Sequence, residues 1–291
     1  MAVRQSPLWK WATPGLSAAL LLAVAWHVRH VDIRSAIPVN PLFWALLLAY
    51  WAAPIVSDFV IYRRLWAIPA EGLIALARKQ VGNALLFDLL GETYFYSWAR
   101  KKVAMETSPF GAVKDVTILS ALVGNVGTLI LMAAAWPYIG DLDLGTKGPA
   151  LAASMAVLVA VSTLIIALGK RLFSLTRSEL WWVSLVHLLR VFVSTALIAM
   201  AWAVYAPTQA LGVWFLMATA QLVASRLPLF VNSDVVFASI VIWFLGKDSE
   251  IQQVISITTI LIMLIHVAVA ALLAVGDLAT PHRKVAPDAH R

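Results

Sequence analysis

The residues of this sequence that could do chemistry are ionisable side chains set inside apolar runs: Asp58, Lys114, Asp115, His187, Arg190, Arg226, Asp234 and His266. A charge at the centre of a bilayer costs about 2.5–3.5 kcal/mol, so each such group needs a partner, a water-filled cavity or a ligand. The types present indicate the chemistry. Guanidinium groups match the geometry of phosphate oxygens, and carboxylates can orient those arginines or meet cationic and sugar groups. One further acid belongs with them: the stretch "LLFDLLGETYFYSWARKK", residues 85–102, runs from Asp88 and Glu92 through aromatics to Arg100, Lys101 and Lys102.

For each group a bland reading competes with a functional one. Asp58, Lys114 and Arg226 lie near enough to the ends of their apolar runs for interfacial anchoring to explain them equally well. Arg190 is about 13 Å from the nearer end of its run at 1.5 Å per residue, and His187 shares its helical face, which favours a buried pair or a ligand contact. His266 on a very apolar run reads as a neutral, hydrogen-bonded core histidine. Asp88 and Glu92 would share a helix face and could act as acid and base, but nothing nearby supplies a nucleophile or metal. His27 and His30 lack a third metal ligand. No phosphate-binding loop, nucleophile elbow, HExxH or dinucleotide fingerprint is present, so no metal or cofactor is expected. Of the 13 tryptophans, those at segment ends read as interfacial anchors.

The elements that must position these groups follow from composition. With 62% hydrophobic and 13% charged residues and a mean hydropathy of +0.85, the chain is far more apolar than a soluble domain. Membrane segments are expected near 11–28, 41–62, 110–138, 149–168, 181–205, 211–230, 232–246 and 251–277. The seventh is short, and 69–99 is mixed enough to lie in the interface or to re-enter. The fold class is therefore an all-α polytopic membrane protein of about eight transmembrane helices, with one or two re-entrant or interrupted segments. One membrane domain is expected over 1–281, followed by a short cytosolic tail, 282–291. Ala23-Val24-Ala25 lies inside the first apolar run rather than after it, so that run reads as an uncleaved helix.

Loops at 63–108 and 169–180 and the tail carry most of the basic residues, which places them and both termini in the cytosol of a cell membrane, a bacterial inner membrane being the expected one. Arg29 and Arg34 then lie outside, against the trend. A net charge of +7 concentrated in short loops speaks for orientation rather than nucleic-acid binding. The absence of cysteine leaves no disulfide framework or thiol chemistry. Interrupted segments around Gly82–Trp98 and Arg226–Gly246, one in each half, point to a substrate site between halves.

The region "LLGETYFYSWARKK", with Gly91 and Glu92, resembles the Gly-Glu region of the lysylphosphatidylglycerol synthase transmembrane family of flippase-like membrane proteins. The stretch "SRLPLFVNSDVVF", with Pro228 and Asp234, occupies the place of that family's second, re-entrant signature without its glycines. Lys114 and Asp115 stand where the family carries Arg and Asp. The resemblance implies a domain that moves lipids between leaflets; the soluble transferase found in some members is not carried over, because only a short polar tail follows. The function expected is a translocator of a lipid or lipid-linked substrate, not driven by a nucleotide site of its own, with a polar cavity open to the cytosol. Glu92, Arg100, Arg190, Arg226 and Asp234 are expected to bind a substrate with an anionic headgroup, and Asp58, Asp115, His187 and Tyr94 to form a supporting polar network. Two alternatives stay open: an integral-membrane enzyme modifying a lipid or isoprenoid, with Glu92 or Asp234 as acid or base, and a membrane scaffold for a partner enzyme. A homo-oligomer is compatible with each.

Overall fold

The computed structural model describes residues 37–85, 90–102, 109–141, 173–226, 234–235, 237–239, 241 and 250–279. Among these there is no strand. Seven α-helices run in order: α1 Pro41–Trp66, α2 Gly72–Leu85, α3 Leu90–Lys102, α4 Pro109–Ala135, α5 Arg177–Tyr205, α6 Leu211–Ala224 and α7 Glu250–Ala279, with a 3₁₀ turn Trp136–Asp141 after α4. Four of them, α1, α4, α5 and α7, are long and apolar enough to cross a membrane.

Local chemistry sets the helix ends. Asn40 caps α1, its Oδ1 accepting from Leu42 N at 2.9 Å, and Pro41 follows at the first helical position, where its missing N–H costs nothing. At the other end Ala67 adopts a left-handed conformation and donates to Arg63 O, ending the helix. Thr176 and Glu179 form a reciprocal capping box at the start of α5, satisfying two backbone donors that a helix start otherwise leaves open.

Five of the eight expected crossings fall on helices among the described residues. The segments 41–62, 110–138, 181–205 and 251–277 correspond to the four long helices. The expected span 211–230 is a helix of 14 residues that stops at Ala224, about 21 Å long, because the chain turns at Ser225 and Arg226. The mixed stretch 69–99 forms two short helices, α2 and α3, packed on each other. Segments 11–28 and 149–168, both termini, Asp88, Pro228 and most of 232–246 lie outside the described residues.

The packing buries two apolar clusters and leaves further apolar side chains on the outer faces. α1 lies along α5, α5 against α4 and α6, and α2 against both α1 and α7. Two buried apolar clusters form at opposite ends of the α1–α5 pair. One gathers Phe43, Leu47, Ile198, Trp202 and Trp214, with Ile255 and Ile262 of α7. The other gathers Ile61, Tyr62, Leu76, Phe95 and Val183. Large apolar side chains such as Leu48, Val56, Val126, Ile130, Leu185, Leu189, Leu264 and Leu272 are exposed on the outer faces of the long helices. Apolar surface in such quantity on a monomer marks an interaction surface, and its spread around the four long helices suits hydrocarbon.

Candidate functional site: a polar cavity between seven helices

Between the two apolar clusters lies a cavity of about 580 Å³, to which all seven helices contribute. This is within the size range of small-molecule sites. Its wall combines apolar residues with Asp58, Lys79, Gln80, Asn83, Glu92, Ser120, His187, Arg190, Gln221, Arg226, Asp234 and His266. Six of the expected site residues thus meet at one place, Asp58, Glu92, His187, Arg190, Arg226 and Asp234, together with His266.

One side is built by the α2–α3 hairpin against α1. Lys79 Nζ lies 2.7 Å from Asp58 Oδ2 and 3.4 Å from Glu92 Oε1. Asn83, one turn beyond Lys79, donates from Nδ2 to Glu92 Oε2 at 2.9 Å and accepts at Oδ1 from Gly91 N at 2.8 Å. Gly91 has no side chain for a steric reason: a Cβ there would run into the carbonyl oxygen of Lys79 and the Asn83 side chain. The close approach of α3 to α2 brings Glu92 onto Lys79. Burial alone would lower the Lys79 ammonium, but Asp58 and Glu92 around it outweigh that and hold it above its ordinary value. Gln80 reaches across to α1, donating to Trp51 O at 2.7 Å. That contact sits three residues before Pro54, where proline interrupts the helix hydrogen-bond ladder.

The other side is built differently. Arg190 of α5 donates from Nη2 to Ser120 Oγ of α4 at 2.9 Å. Arg226, at the turn after α6, donates from Nε to Thr128 Oγ1 at 3.3 Å and lies over Gly124, where a Cβ would collide with its guanidinium. Among the described residues neither guanidinium has a carboxylate within ion-pair distance. The two are within electrostatic reach of each other and repel. Asp234 accepts at Oδ1 from Gln221 Nε2 at 2.8 Å and likewise has no cationic partner among the described residues. His187 is buried, 1% exposed, with no side-chain hydrogen-bond partner for either ring nitrogen among them.

Three residues expected at the site stand elsewhere. Asp115 is fully buried but faces the segment before α5: its Oδ2 accepts from Ser174 N, Ser174 Oγ and Leu175 N at 2.5–2.8 Å. It is a clamp between α4 and the start of α5, with Lys114 3.4 Å from its other oxygen. Tyr94 accepts from Arg78 Nη1 at 3.1 Å, one side of α3 away from the cavity. Arg100 is exposed in the last turn of α3. Asp58, for which interfacial anchoring was an open reading, is buried and ion-paired. His266 is the hydrogen-bonded histidine expected, with Nδ1 2.9 Å from Ile262 O, and its ring also meets Trp51 edge-on at the cavity wall.

The sequence reading missed Lys79, Gln80, Asn83 and Gln221. Lys79 was absorbed into the positive charge of a loop, yet Gly72, Leu76, Lys79 and Asn83 recur at spacings of four, three and four, one face of a helix. No group of three or more metal-ligating residues occurs among the described residues. No family model matches the chain, and neither a curated protein nor a solved structure matches it.

Proposed function

We propose that this chain is a multi-pass membrane protein that binds the anionic headgroup of a lipid or lipid-linked molecule in the cavity and passes it across the bilayer. The observation that carries the reading is the pair Arg190 and Arg226. Both line the cavity, and both are hydrogen-bonded to neutral hydroxyls rather than to acids. Among the described residues Asp58 is the one acid within electrostatic reach of Arg190, and it is ion-paired to Lys79. Half-buried cations without an ion-paired carboxylate are costly, and a phosphate group entering between them would lower that cost while forming charge-assisted hydrogen bonds.

The surroundings support an amphipathic ligand. Four apolar helices with exposed leucines and valines suit hydrocarbon, so the tails would stay in the bilayer while the headgroup enters. Arg63 and Arg64 in the last turn of α1 and Arg100, Lys101 and Lys102 in the last turn of α3 would face the cytosol. On that orientation α2 and α3, about 20 Å each, would enter the membrane from the cytosolic side and bring Asn83 and Glu92 to the cavity. Without a nucleotide-binding motif, movement would be downhill or ion-coupled.

The test uses purified protein in vesicles containing labelled phosphatidylglycerol in one leaflet. Wild type accelerates its appearance in the other leaflet, and Arg190→Ala abolishes the acceleration while the variant still unfolds cooperatively, at a temperature only slightly below that of wild type. Equal movement by the variant, or none by wild type across a panel of headgroups, overturns the reading.

A further inference from the structure

The cavity holds two poles of opposite sign that do not neutralise each other. Arg190 rests on Ser120, Arg226 on Thr128 and Asp234 on Gln221. Each charge is held by a neutral side chain on a neighbouring helix, and among the described residues no ion pair joins Asp234 to either arginine. This is unlike the Asp58–Lys79–Glu92 side of the same cavity, where opposite charges meet directly. Opposite charges that share a cavity yet stay apart leave each pole able to take a complementary group from a ligand.

We propose that the ligand is a zwitterionic amphiphile whose phosphodiester lies between Arg190 and Arg226 and whose ammonium meets Asp234. This deepens the proposed function and rests on its placing of an anionic headgroup at the arginines. The chemistry around Asp234 fits an ammonium group. Gln221 occupies one carboxylate oxygen and sets its orientation, and Tyr50 of α1 lines the cavity within electrostatic reach of the acid. Trp51 supplies an aromatic wall to the same cavity, and a cation is favoured over an indole face. Asp234 then selects headgroups, while the arginines bind any phosphodiester.

Equilibrium binding to the purified full chain in detergent tests this with three probes. Short-chain phosphatidylethanolamine carries both charges, its N-acetyl derivative keeps the phosphodiester and loses the ammonium, and glycerophosphoethanolamine keeps both charges and loses the tails. Wild type binds the first about tenfold tighter than the second, equivalent to about 1.4 kcal/mol, and binds the third much more weakly. Asp234→Asn, which preserves shape and an acceptor for Gln221, removes the tenfold ratio by weakening the first probe alone. Arg190→Ala weakens both lipids. Equal wild-type affinity for the two lipids overturns the proposal without needing any variant, as does an equal loss on both in Asp234→Asn. Tailless zwitterion bound as tightly as lipid overturns the amphiphile. The failures are separable: an ammonium preference in binding with no movement in vesicles defeats the translocator and leaves this inference standing, whereas movement without the preference does the reverse.

Discussion

The two sides of the cavity bury similar numbers of charges by opposite means. On the α2–α3 side, Lys79 is shared by Asp58 and Glu92, and Asn83 ties Glu92 to the backbone of Gly91. On the α5–α6 side, Arg190, Arg226 and Asp234 are held by Ser120, Thr128 and Gln221. The difference separates two uses of buried polarity. A network closed on itself positions helices, since removing one member strands the others. Charges braced by neutral groups have no ion-pair partner among the described residues, which is the basis of the proposed headgroup binding.

The comparison breaks most visibly at Lys79. Lys79→Met leaves two buried carboxylates without a cation, and a loss of roughly 3–5 kcal/mol is expected for such an orphaned pair. Unfolding in detergent measures it, and adding Asp58→Asn should recover part of the loss, since the two residues are in contact. Arg190→Ala, of comparable depth, should lower the unfolding temperature far less, because its partner Ser120 is a neutral hydroxyl, while removing headgroup binding. Equal destabilisation by both substitutions would erase the distinction between the two sides.

Smaller effects sharpen it. Gly91→Ala forces a methyl against the Lys79 carbonyl and should cost about 1–3 kcal/mol as overpacking does, with headgroup affinity reduced only as far as the hairpin shifts. Asp115→Ala strands the Ser174 and Leu175 amides and should cost about 1–3 kcal/mol with headgroup affinity unchanged. Such a separation of stability from binding would place Asp115 with the architecture. The smallest effect is of pH on the closed side. Lys79 is held above its ordinary value, so its contribution is complete below the unfolded lysine value of about 10.4 and is lost only as pH rises through the folded value. The unfolding temperature should therefore carry no Lys79 contribution to its slope between about pH 7 and 9.

How far the site was legible in the sequence depended on contrast. Arg190 stands out because a charge deep inside an apolar run has few bland explanations, whereas Asp58 lies near enough to the end of its run for anchoring to compete; both line the cavity. Glu92 stood out against its apolar neighbours, and Gly91 beside it has a reason no pattern reveals: the Lys79 carbonyl packs where a Cβ would be. Lys79 itself was hidden among other basic residues whose charge the topology already explained. Asp115 misled for the converse reason, since burial in an apolar run does not say which neighbour the side chain faces, and its partner Ser174 is 59 residues away. In the fold, α1, α4, α5 and α7 were visible as long apolar runs. The early end of α6 was not, because apolar residues on both sides of Ser225 and Arg226 conceal the turn between them.

The central claim is that Arg190 and Arg226 await an anion from outside the chain. A high-resolution map of the protein in a lipid nanodisc containing phosphatidylethanolamine and phosphatidylglycerol tests it most directly. Phosphate density within hydrogen-bond distance of both guanidiniums is the predicted result. Guanidiniums paired instead with carboxylates of the chain, in a cavity without lipid density, would contradict it.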